Sequence, residues 1–537
     1  MLLHLLVLAP FAVALLMVVN SKEDYKAATR MAILFGLLFL GMSVALIASG
    51  NTATTPVEWF KIPGCKGPSY YYLYSHGLGA WMVFLSCGLS LVSLISARGI
   101  LGANYRNFAI GIFALMGAMN GTFLAADAVL FFFFFEAMVI PAAILIASFG
   151  GEKRKQAAMT FAIYTLVGSA PMMVALWYLL TIADNSLLVS LAVAIQSVPE
   201  STQLALLMSF LIAFIVKTPI FPFHGWQAIT YSEASAPLSA ILTGAMSKAG
   251  VFSLSEAMLP AVLVLLVAHG ISAGVQYYLI GVAERMTGTR NIDEMGGLAH
   301  KNPAFSFLFG AAGVMALAVP GTAGFIGEFS VLLSLWDLSA VCAGIMGFVM
   351  ILSAAYVLRF IQKVIFGNPA REYTEGKRAG HLEGFAYGVM LVLLLVFGFH
   401  PSFITNSLNL NEEEVAEQVA EEPAAEAPAE EVVEEEEVEE DVEPLESHIV
   451  SSADIAKLDS SLTQAGFSEE ERKELIKQVI ETEANMAKAT AYAAEKQQRE
   501  EEEARIRDAA NKGYEEFDVP MESQDESAVK NEEASND

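Results

Sequence analysis

Long apolar stretches alternate with short polar loops along residues 1–407 of this chain. Each stretch contains roughly 17–25 residues or more, enough for a helix to cross about 30 Å of hydrocarbon. The pattern predicts twelve spans, at 1–19, 31–49, 76–97, 108–124, 127–149, 157–182, 203–226, 237–258, 260–283, 304–336, 339–367 and 382–404. Because backbone amides cannot stay unpaired in lipid, an all-α polytopic transmembrane helical bundle is predicted.

Basic residues in the short loops predict the orientation of this bundle. The loops after the first, third, fifth, ninth and eleventh spans carry most of the Lys and Arg, whereas the opposite loops carry only Lys61 and Lys66. An even number of spans then puts both termini on the outer side of a bacterial inner membrane or of an organellar inner membrane. His224 and Trp226, beside a predicted turn, are expected at the membrane interface.

The composition changes abruptly after Ser407. Residues 408–537 hold 41 acidic and 11 basic residues, so the net charge of −28 belongs to this part of the chain. We predict a transmembrane domain at 1–407, an acidic low-complexity linker at 408–450 and a charged helical, partly disordered tail at 451–537. The partner of the tail is unknown. Nucleic-acid binding is excluded, because it relies on clustered Lys and Arg.

The cysteine pattern argues against a metal centre in this chain. Cys65, Cys87 and Cys342 are its three cysteines, and they lie far apart in the sequence. An iron–sulfur cluster or a structural zinc site needs several closely spaced Cys or His ligands. We therefore expect no metal and no cofactor bound by this chain.

Five titratable residues stand out within the predicted spans. A charge at the centre of a bilayer costs roughly 2.5–3.5 kcal/mol even on the lenient insertion scale, so Glu136, Lys217, Lys248 and Glu328 are candidates for function. His269 can relay a proton in either direction near neutral pH. The alternative for the four charges is a position at a helix end or a purely structural pairing. For His269 a hydrogen-bonded structural role is nearly as well supported.

Prolines predict breaks in two of the spans. Pro219 and Pro222 lack the amide hydrogen that a helix requires, so the helix that carries Lys217 should open there. Pro320 breaks the span that carries Glu328. Broken helices are tolerated in a bilayer only within protein or beside water, and in matching positions they indicate inverted repeats and an ion path at the midplane. Ordinary proline kinks are the alternative.

These segments resemble the antiporter-like subunit M of respiratory complex I, called chain 4 in mitochondria. The matching motifs lie within residues 75–405 and read FFFFFEAMVIPAAILI, VKTPIFPFHGW, AMSKAGVF, VAHGISAG, TGTRNIDEMGGLAHKNP and PGTAGFIGEF. The Gly-Glu-Phe sequence at 327–329 favours subunit M over its L and N relatives. The family belongs to a superfamily of proton-conducting membrane transporters that includes the Mrp antiporters and membrane-bound hydrogenase subunits.

The resemblance implies a proton-translocating subunit of an NADH:quinone oxidoreductase with no redox centre of its own. It implies that Glu136, at the channel entrance, pairs with Lys217, that Lys248 is the connecting lysine, that His269 is a central relay and that Glu328 lies at the exit. NADH, FMN, iron–sulfur clusters and quinone are expected in partner subunits. The expected partners are the lipid bilayer and the other membrane subunits of complex I.

The chain departs from this family in its second half. AMSKAGVFSLSEAMLPA passes almost directly into VLVLLVAHGIS, so about two helices of the family are absent, and QAITYSEASAP replaces the usual PDAH after the HGW motif. Three other functions stay open: an Mrp-type cation/proton antiporter, a membrane hydrogenase subunit and a structural subunit that does not conduct. The Mrp-type function would need a cation site of oxygen ligands, and no Asp lies in the middle of a predicted span.

Overall fold

The computed structural model describes residues 1–19, 25–252, 259–368 and 379–406. Within these ranges the chain is almost entirely helical, which confirms the predicted fold class. The predicted acidic linker and tail, 408–537, lie outside the described residues.

The helices are labelled α1 to α19 in chain order. The first ten are α1 (Leu2–Val19), α2 (Tyr25–Ala48), α3 (Gly77–Ala97), α4 (Tyr105–Leu124), α5 (Ala128–Ala137), α6 (Val139–Phe149), α7 (Arg154–Ile182), α8 (Leu188–Gln196), α9 (Glu200–Lys217) and α10 (Gly225–Glu233). The others are α11 (Ala236–Ile241), α12 (Lys248–Phe252), α13 (Leu259–Thr287), α14 (Leu298–Lys301), α15 (Pro303–Ala316), α16 (Ala323–Leu338), α17 (Ala340–Ile361), α18 (His381–Phe399) and α19 (Ser402–Thr405). Single turns of π-helix occupy Leu242–Met246 and Gln362–Phe366.

Ten helical segments of the described chain are long and apolar enough to cross a membrane. They are α1, α2, α3, α4, α5 with α6, α7, α9, α13, α17 with its π-turn, and α18. The two other predicted spans are interrupted. Span 237–258 consists of α11, a π-turn and α12 as far as Phe252, and span 304–336 is divided into α15 and α16. Pro320 lies between α15 and α16, as the predicted break requires.

Four short strands form two small antiparallel sheets between α2 and α3. Strand β1 (Thr52–Ala53) pairs with β4 (Tyr74–Ser75), and β2 (Val57–Phe60) pairs with β3 (Ser69–Tyr71). These strands lie in the loop that contains Lys61 and Lys66, and the apolar pattern did not predict them.

Glycines bring the helices that carry candidate residues into close contact. A Cβ atom built on Gly270 of α13 would lie 2.7 Å from the carbonyl oxygen of Gly244, in the π-turn before α12. The backbones therefore touch where small residues meet, as is common between membrane helices. This contact sets Lys248, just after the π-turn, against the part of α13 that carries His269.

Candidate functional site

The first predicted helix break lies at the C-terminal end of α9. Pro219 has no amide hydrogen for the carbonyl of Ile215, and the amide of Ile220 donates to that oxygen instead, at 3.0 Å. The indole Nε1 of Trp226 donates to the carbonyl oxygen of Val216, also at 3.0 Å. Trp226 is fully buried within the protein, and its predicted place at the membrane interface stays a prediction. Its side chain satisfies a carbonyl that the break would otherwise leave unpaired.

Lys217 is the last residue of α9, and it is only 1% exposed. Its Nζ atom donates a 3.0 Å hydrogen bond to the carbonyl oxygen of Phe135 and lies 4.3 Å from the centre of the Phe135 ring. A carbonyl dipole and an aromatic face both favour a cation, but neither carries a compensating charge. The ammonium group is therefore buried among partial charges.

Glu136 follows Phe135 on α5 and is half-buried. Its carboxylate interacts electrostatically with Lys217. The two side chains are not among the ion pairs that the described residues form. The Oε1 atom is buried and has no hydrogen-bond partner in the described part of the chain. The structure thus brings the predicted pair together, with the carboxylate close to the ammonium group and out of direct contact with it.

Lys248 begins α12 and is 5% exposed. Its Nζ atom donates to the carbonyl oxygen of Thr243 at 3.0 Å, and the Ser247 hydroxyl donates to the same oxygen at 2.8 Å. This carbonyl lies in the π-turn, a feature that is frequent at functional sites. His269 interacts electrostatically with Lys248, and its side chain is exposed on α13. The structure therefore brings these two predicted residues together as well.

A tight contact joins the surroundings of the two lysines. A Cβ atom on Gly250 of α12 would lie 2.2 Å from Oγ1 of Thr218 and 2.6 Å from the carbonyl oxygen of Phe214. Thr218 follows Lys217, and Gly250 lies two residues after Lys248. The start of α12 therefore packs directly on the broken end of α9.

Glu328 lies on α16, beyond the second helix break, and is half-buried. A Cβ atom on its neighbour Gly327 would lie 2.6 Å from Cα of Leu265, one helical turn before His269 on α13. This close approach sets the start of α16 against the His269 region. The ion pairs of the described residues do not include Glu328.

Asp127 is a buried acid that the sequence reasoning missed. It caps the N-terminus of α5, nine residues before Glu136 on the same continuous stretch of helix. Its carboxylate accepts hydrogen bonds from the amides of Val129, Leu130 and Tyr70 and from the hydroxyl of Ser186. The sequence did contain a signal for this cap, because an Asp just before an apolar run is a preferred N-cap. Asp127 ties α5 to the loops on either side of it.

Arg285 and Glu383 form a second buried polar contact that the sequence did not single out. They join α13 to α18 by an ion pair of 2.7 Å, with side-chain exposures of 17% and 5%. The Glu383 carboxylate also accepts the amide of Gly380 at 3.1 Å, which completes the N-cap of α18.

Taken together, the site combines acidic, basic and imidazole side chains inside a helical membrane domain with two interrupted helices. Within the described ranges, no group of three or more His, Cys, Asp or Glu residues is placed to hold a metal ion. Buried ionisable groups on discontinuous helices are typical of membrane proteins that move ions or protons. The fold and the site thus define a polytopic helical membrane domain with charged side chains beside interrupted helices.

Residues 125–262 and 254–353 match the family described as NADH:quinone oxidoreductase/Mrp antiporter, transmembrane. These two stretches are similar to that family of membrane subunits. The two matched stretches overlap at 254–262, close to where about two helices of the family are predicted to be absent.

Curated relatives carry the names of complex I subunits. NAD(P)H-quinone oxidoreductase chain 4 of a Synechococcus species is 28% identical over 421 residues, which cover 65% of this chain and 80% of the relative. NADH-quinone oxidoreductase subunit M of Rickettsia felis is 25% identical over 472 residues, which cover 75% and 95%. The resemblance to subunit M is thereby confirmed.

Solved structures share the fold. A chain of respiratory complex I from Thermus thermophilus with bound NADH aligns with a TM-score of 0.65 at 24% identity, over 76% of this chain and 97% of that one. A chain of the Mrp complex from a Dietzia species aligns with the same TM-score at 16% identity, over 78% and 98%. The architecture is therefore common to both kinds of assembly.

Proposed function

We propose that this chain is a proton-translocating antiporter-like subunit of an NADH:quinone oxidoreductase of the complex I class. Electron transfer in other subunits would drive proton movement through the acidic, basic and imidazole groups of its predicted spans. The observation that carries this proposal is the arrangement of the buried Lys217 ammonium and the half-buried Glu136 carboxylate, opposite charges that interact without forming a direct ion pair.

The physics of this pair supports a switch between two protonation states. Burial disfavours an ammonium ion, and a nearby carboxylate favours it. When Glu136 approaches Lys217, the lysine holds its proton. When the carboxylate withdraws or is neutralised, the neutral amine form of Lys217 is favoured, and the proton passes to the next group. The carbonyl of Phe135 keeps the lysine in place during both states.

The remaining candidates extend this relay. Lys248 is the connecting lysine, His269 receives its proton and Glu328 delivers the proton to the exit side. The contacts between Gly250 and Thr218, and between Gly327 and the α13 backbone, support this order because they set the carrying helices against one another. The two helix breaks supply backbone carbonyls that can bind water along the way.

The redox chemistry of the complex would take place in the partner subunits. NADH, FMN, iron–sulfur clusters and quinone belong to other subunits in this proposal, and neighbouring membrane subunits flank the bundle. The membrane is a bacterial or organellar inner membrane, with both termini on the outer side.

Isolation of the native membrane complex tests the assignment. We expect flavin-binding and iron–sulfur subunits to co-purify with this chain, and we expect NADH oxidation by quinone to acidify one side of sealed vesicles. A complex made only of antiporter chains would instead favour the Mrp-type function.

Variants of the pair test the role of this chain within that complex. Lys217→Ala and Glu136→Gln should each lower the protons moved per NADH oxidised, with assembly intact. Lys61→Ala, an exposed loop lysine, is the matched control and should pump normally. Normal pumping by both site variants would overturn the proposal.

A further inference from the structure

The start of α5 lies in a junction where three segments of the chain meet. The amide of Ala126 donates to the carbonyl oxygen of Tyr72 at 3.1 Å, and the carbonyl oxygen of Ala126 accepts the amide of Leu188, also at 3.1 Å. The amide of Ala128 donates to the carbonyl oxygen of Ser186 at 2.9 Å. The segment before α5 is therefore hydrogen-bonded on both sides, to the loop after β3 and to the loop between α7 and α8.

The carboxylate of Asp127 lies within this junction and is fully buried. Its Oδ1 atom accepts the amides of Val129 and Leu130, both at 2.9 Å, and so caps α5. Its Oδ2 atom accepts the amide of Tyr70 at 3.0 Å and the hydroxyl of Ser186, and we call these two contacts the Oδ2 tether. One oxygen thus caps the helix, while the other ties it to both loops.

The other end of α5 lies directly after Glu136. The helix ends at Ala137, and α6 begins at Val139. Pro141 has no amide hydrogen for the carbonyl of Ala137, so the hydrogen bonding between α5 and α6 is interrupted there. Because helices bend at such a point, the position of α5 depends more on the junction at its start than on α6.

Both groups that α5 presents to Lys217 lie at this far end. The carbonyl oxygen of Phe135 accepts the ammonium at 3.0 Å, and the next residue, Glu136, supplies the neighbouring carboxylate. They are separated from Asp127 by about 13 Å of helix at 1.5 Å per residue. A helical segment this short moves as a unit, so a shift at its start changes the distance from the carboxylate to the lysine.

We propose that Asp127 is a positioning residue for proton transfer. Through the Oδ2 tether it fixes α5, and with α5 the distance between Glu136 and Lys217. This inference rests on the proposed function and deepens it. It gives a role in pumping to an acid that lies outside the relay and is nine residues from Glu136 in the sequence.

Asp127→Asn separates the tether from the cap. The amide oxygen can still accept the two helix amides, because Asn is as good an N-cap as Asp. The amide nitrogen would face the amide of Tyr70, and two donors cannot bond to each other. Ser186→Ala removes the other tether donor and leaves the cap intact. Asp184→Asn makes the same chemical change at an exposed acid in the loop after α7 and is the matched control.

Three quantities are measured on the assembled complex. They are the protons moved per NADH oxidised in sealed vesicles, the pH profile of this ratio and the denaturation temperature. We expect Asp127→Asn to lower the ratio roughly tenfold, because a misplacement of about 1 Å can cost about 10²-fold and the packing of α5 limits the shift. The pH above which pumping falls should decrease, because a carboxylate held less closely stabilises the ammonium form of Lys217 less.

The other variants are expected to rank between Asp127→Asn and the wild type. Ser186→Ala should lower the ratio by less, because the Tyr70 amide still binds Oδ2. Asp184→Asn should match the wild type in all three quantities. A loss of pumping in Asp127→Asn alone would assign the tether to the Tyr70 amide and would support the inference.

A purely structural role for Asp127 gives a different result. Both tether variants would then have a lower denaturation temperature but a wild-type ratio and a wild-type pH profile, and this result would overturn the inference. If Asp127→Asn does not assemble, Ser186→Ala is compared with Asp184→Asn. A lower ratio in Ser186→Ala supports the tether, and equal ratios overturn it.

Lys217→Ala separates this inference from the proposed function. If Lys217→Ala stops pumping while both tether variants pump normally, the positioning role is wrong and the function stands. If Lys217→Ala pumps normally, the function itself fails and the inference fails with it.

Discussion

The ammonium group of Lys217 lies 3.0 Å from the carbonyl oxygen of Phe135, the residue that precedes Glu136. The lysine is therefore anchored by the backbone of the helix that carries its acidic neighbour, and not by the carboxylate itself. The Glu136 carboxylate interacts with Ser169 as well as with Lys217, so a change in its distance from the cation would not require the cation to leave the Phe135 carbonyl. A direct ion pair would have to break before any such change.

Removing the indole donor of Trp226 should destabilise the break in α9. Trp226→Phe keeps an aromatic ring but leaves the Val216 carbonyl without its partner, at a cost of about 1–3 kcal/mol. We expect a lower denaturation temperature of the purified complex and reduced proton movement, since Lys217 adjoins this carbonyl. Trp336→Phe, on the exposed face of α16, is the control and should change neither quantity.

A methyl group at Gly250 should separate α12 from the end of α9. In Gly250→Ala the new Cβ atom would lie 2.2 Å from Oγ1 of Thr218, so one of the helices must shift, at a cost of about 1–3 kcal/mol. Proton movement should fall because the two lysines lie on the displaced segments. Gly344→Ala, where no atom lies within 4 Å of the new Cβ, should behave like the wild type. Equal pumping by both variants would contradict the proposed contact between the relay helices.

The buried ion pair between Arg285 and Glu383 should matter far more than an exposed one. Glu383→Gln leaves a buried guanidinium without its counter-charge, which costs about 3–5 kcal/mol. Glu284→Gln breaks the more exposed pair with Arg290 and should cost about 0–1 kcal/mol. Chaotrope denaturation of the two purified variants measures this difference. Similar midpoints would show that the pair does not hold α13 against α18.

Loss of the Asp127 cap should loosen the start of α5. Asp127→Ala removes an N-cap, at a cost of about 0.5–2 kcal/mol, and also leaves the Tyr70 amide without its acceptor. Limited proteolysis of the nearby loops and the denaturation temperature should both report the change. Asp337→Ala, an exposed acid at the end of α16, is the matched control. An unchanged protein would mean that the loops hold α5 without the carboxylate.

The sequence was sufficient to predict the helical architecture and the helix breaks at Pro219 and Pro320. Apolar length fixes where helices form in lipid, and Pro320 and Pro219 mark where hydrogen bonding fails. The sequence also singled out Glu136 and Lys217, because isolated charges within an apolar run stand out. Local rules were enough for these features, since each depends on a few neighbouring residues.

Other features depend on contacts between segments far apart in the chain. The partner of Val216 is an indole ten residues later, across an irregular turn, and periodicity gives no sign of it. The π-turn before Lys248 lies where Gly244 packs on Gly270, and the sequence alone does not reveal this contact. The pairing of strands in the loop after α2 likewise follows from tertiary packing, because strands this short carry little propensity.

A double-mutant cycle on Glu136 and Lys217 tests the central claim most directly. Protons moved per NADH oxidised would be measured for Glu136→Gln, Lys217→Ala and the double variant in the intact complex, with assembly checked for each. If the two residues act as one switch, each single change lowers pumping and the double change lowers it no further than the worse single change. Independent effects that multiply, or normal pumping in all three variants, would contradict the account.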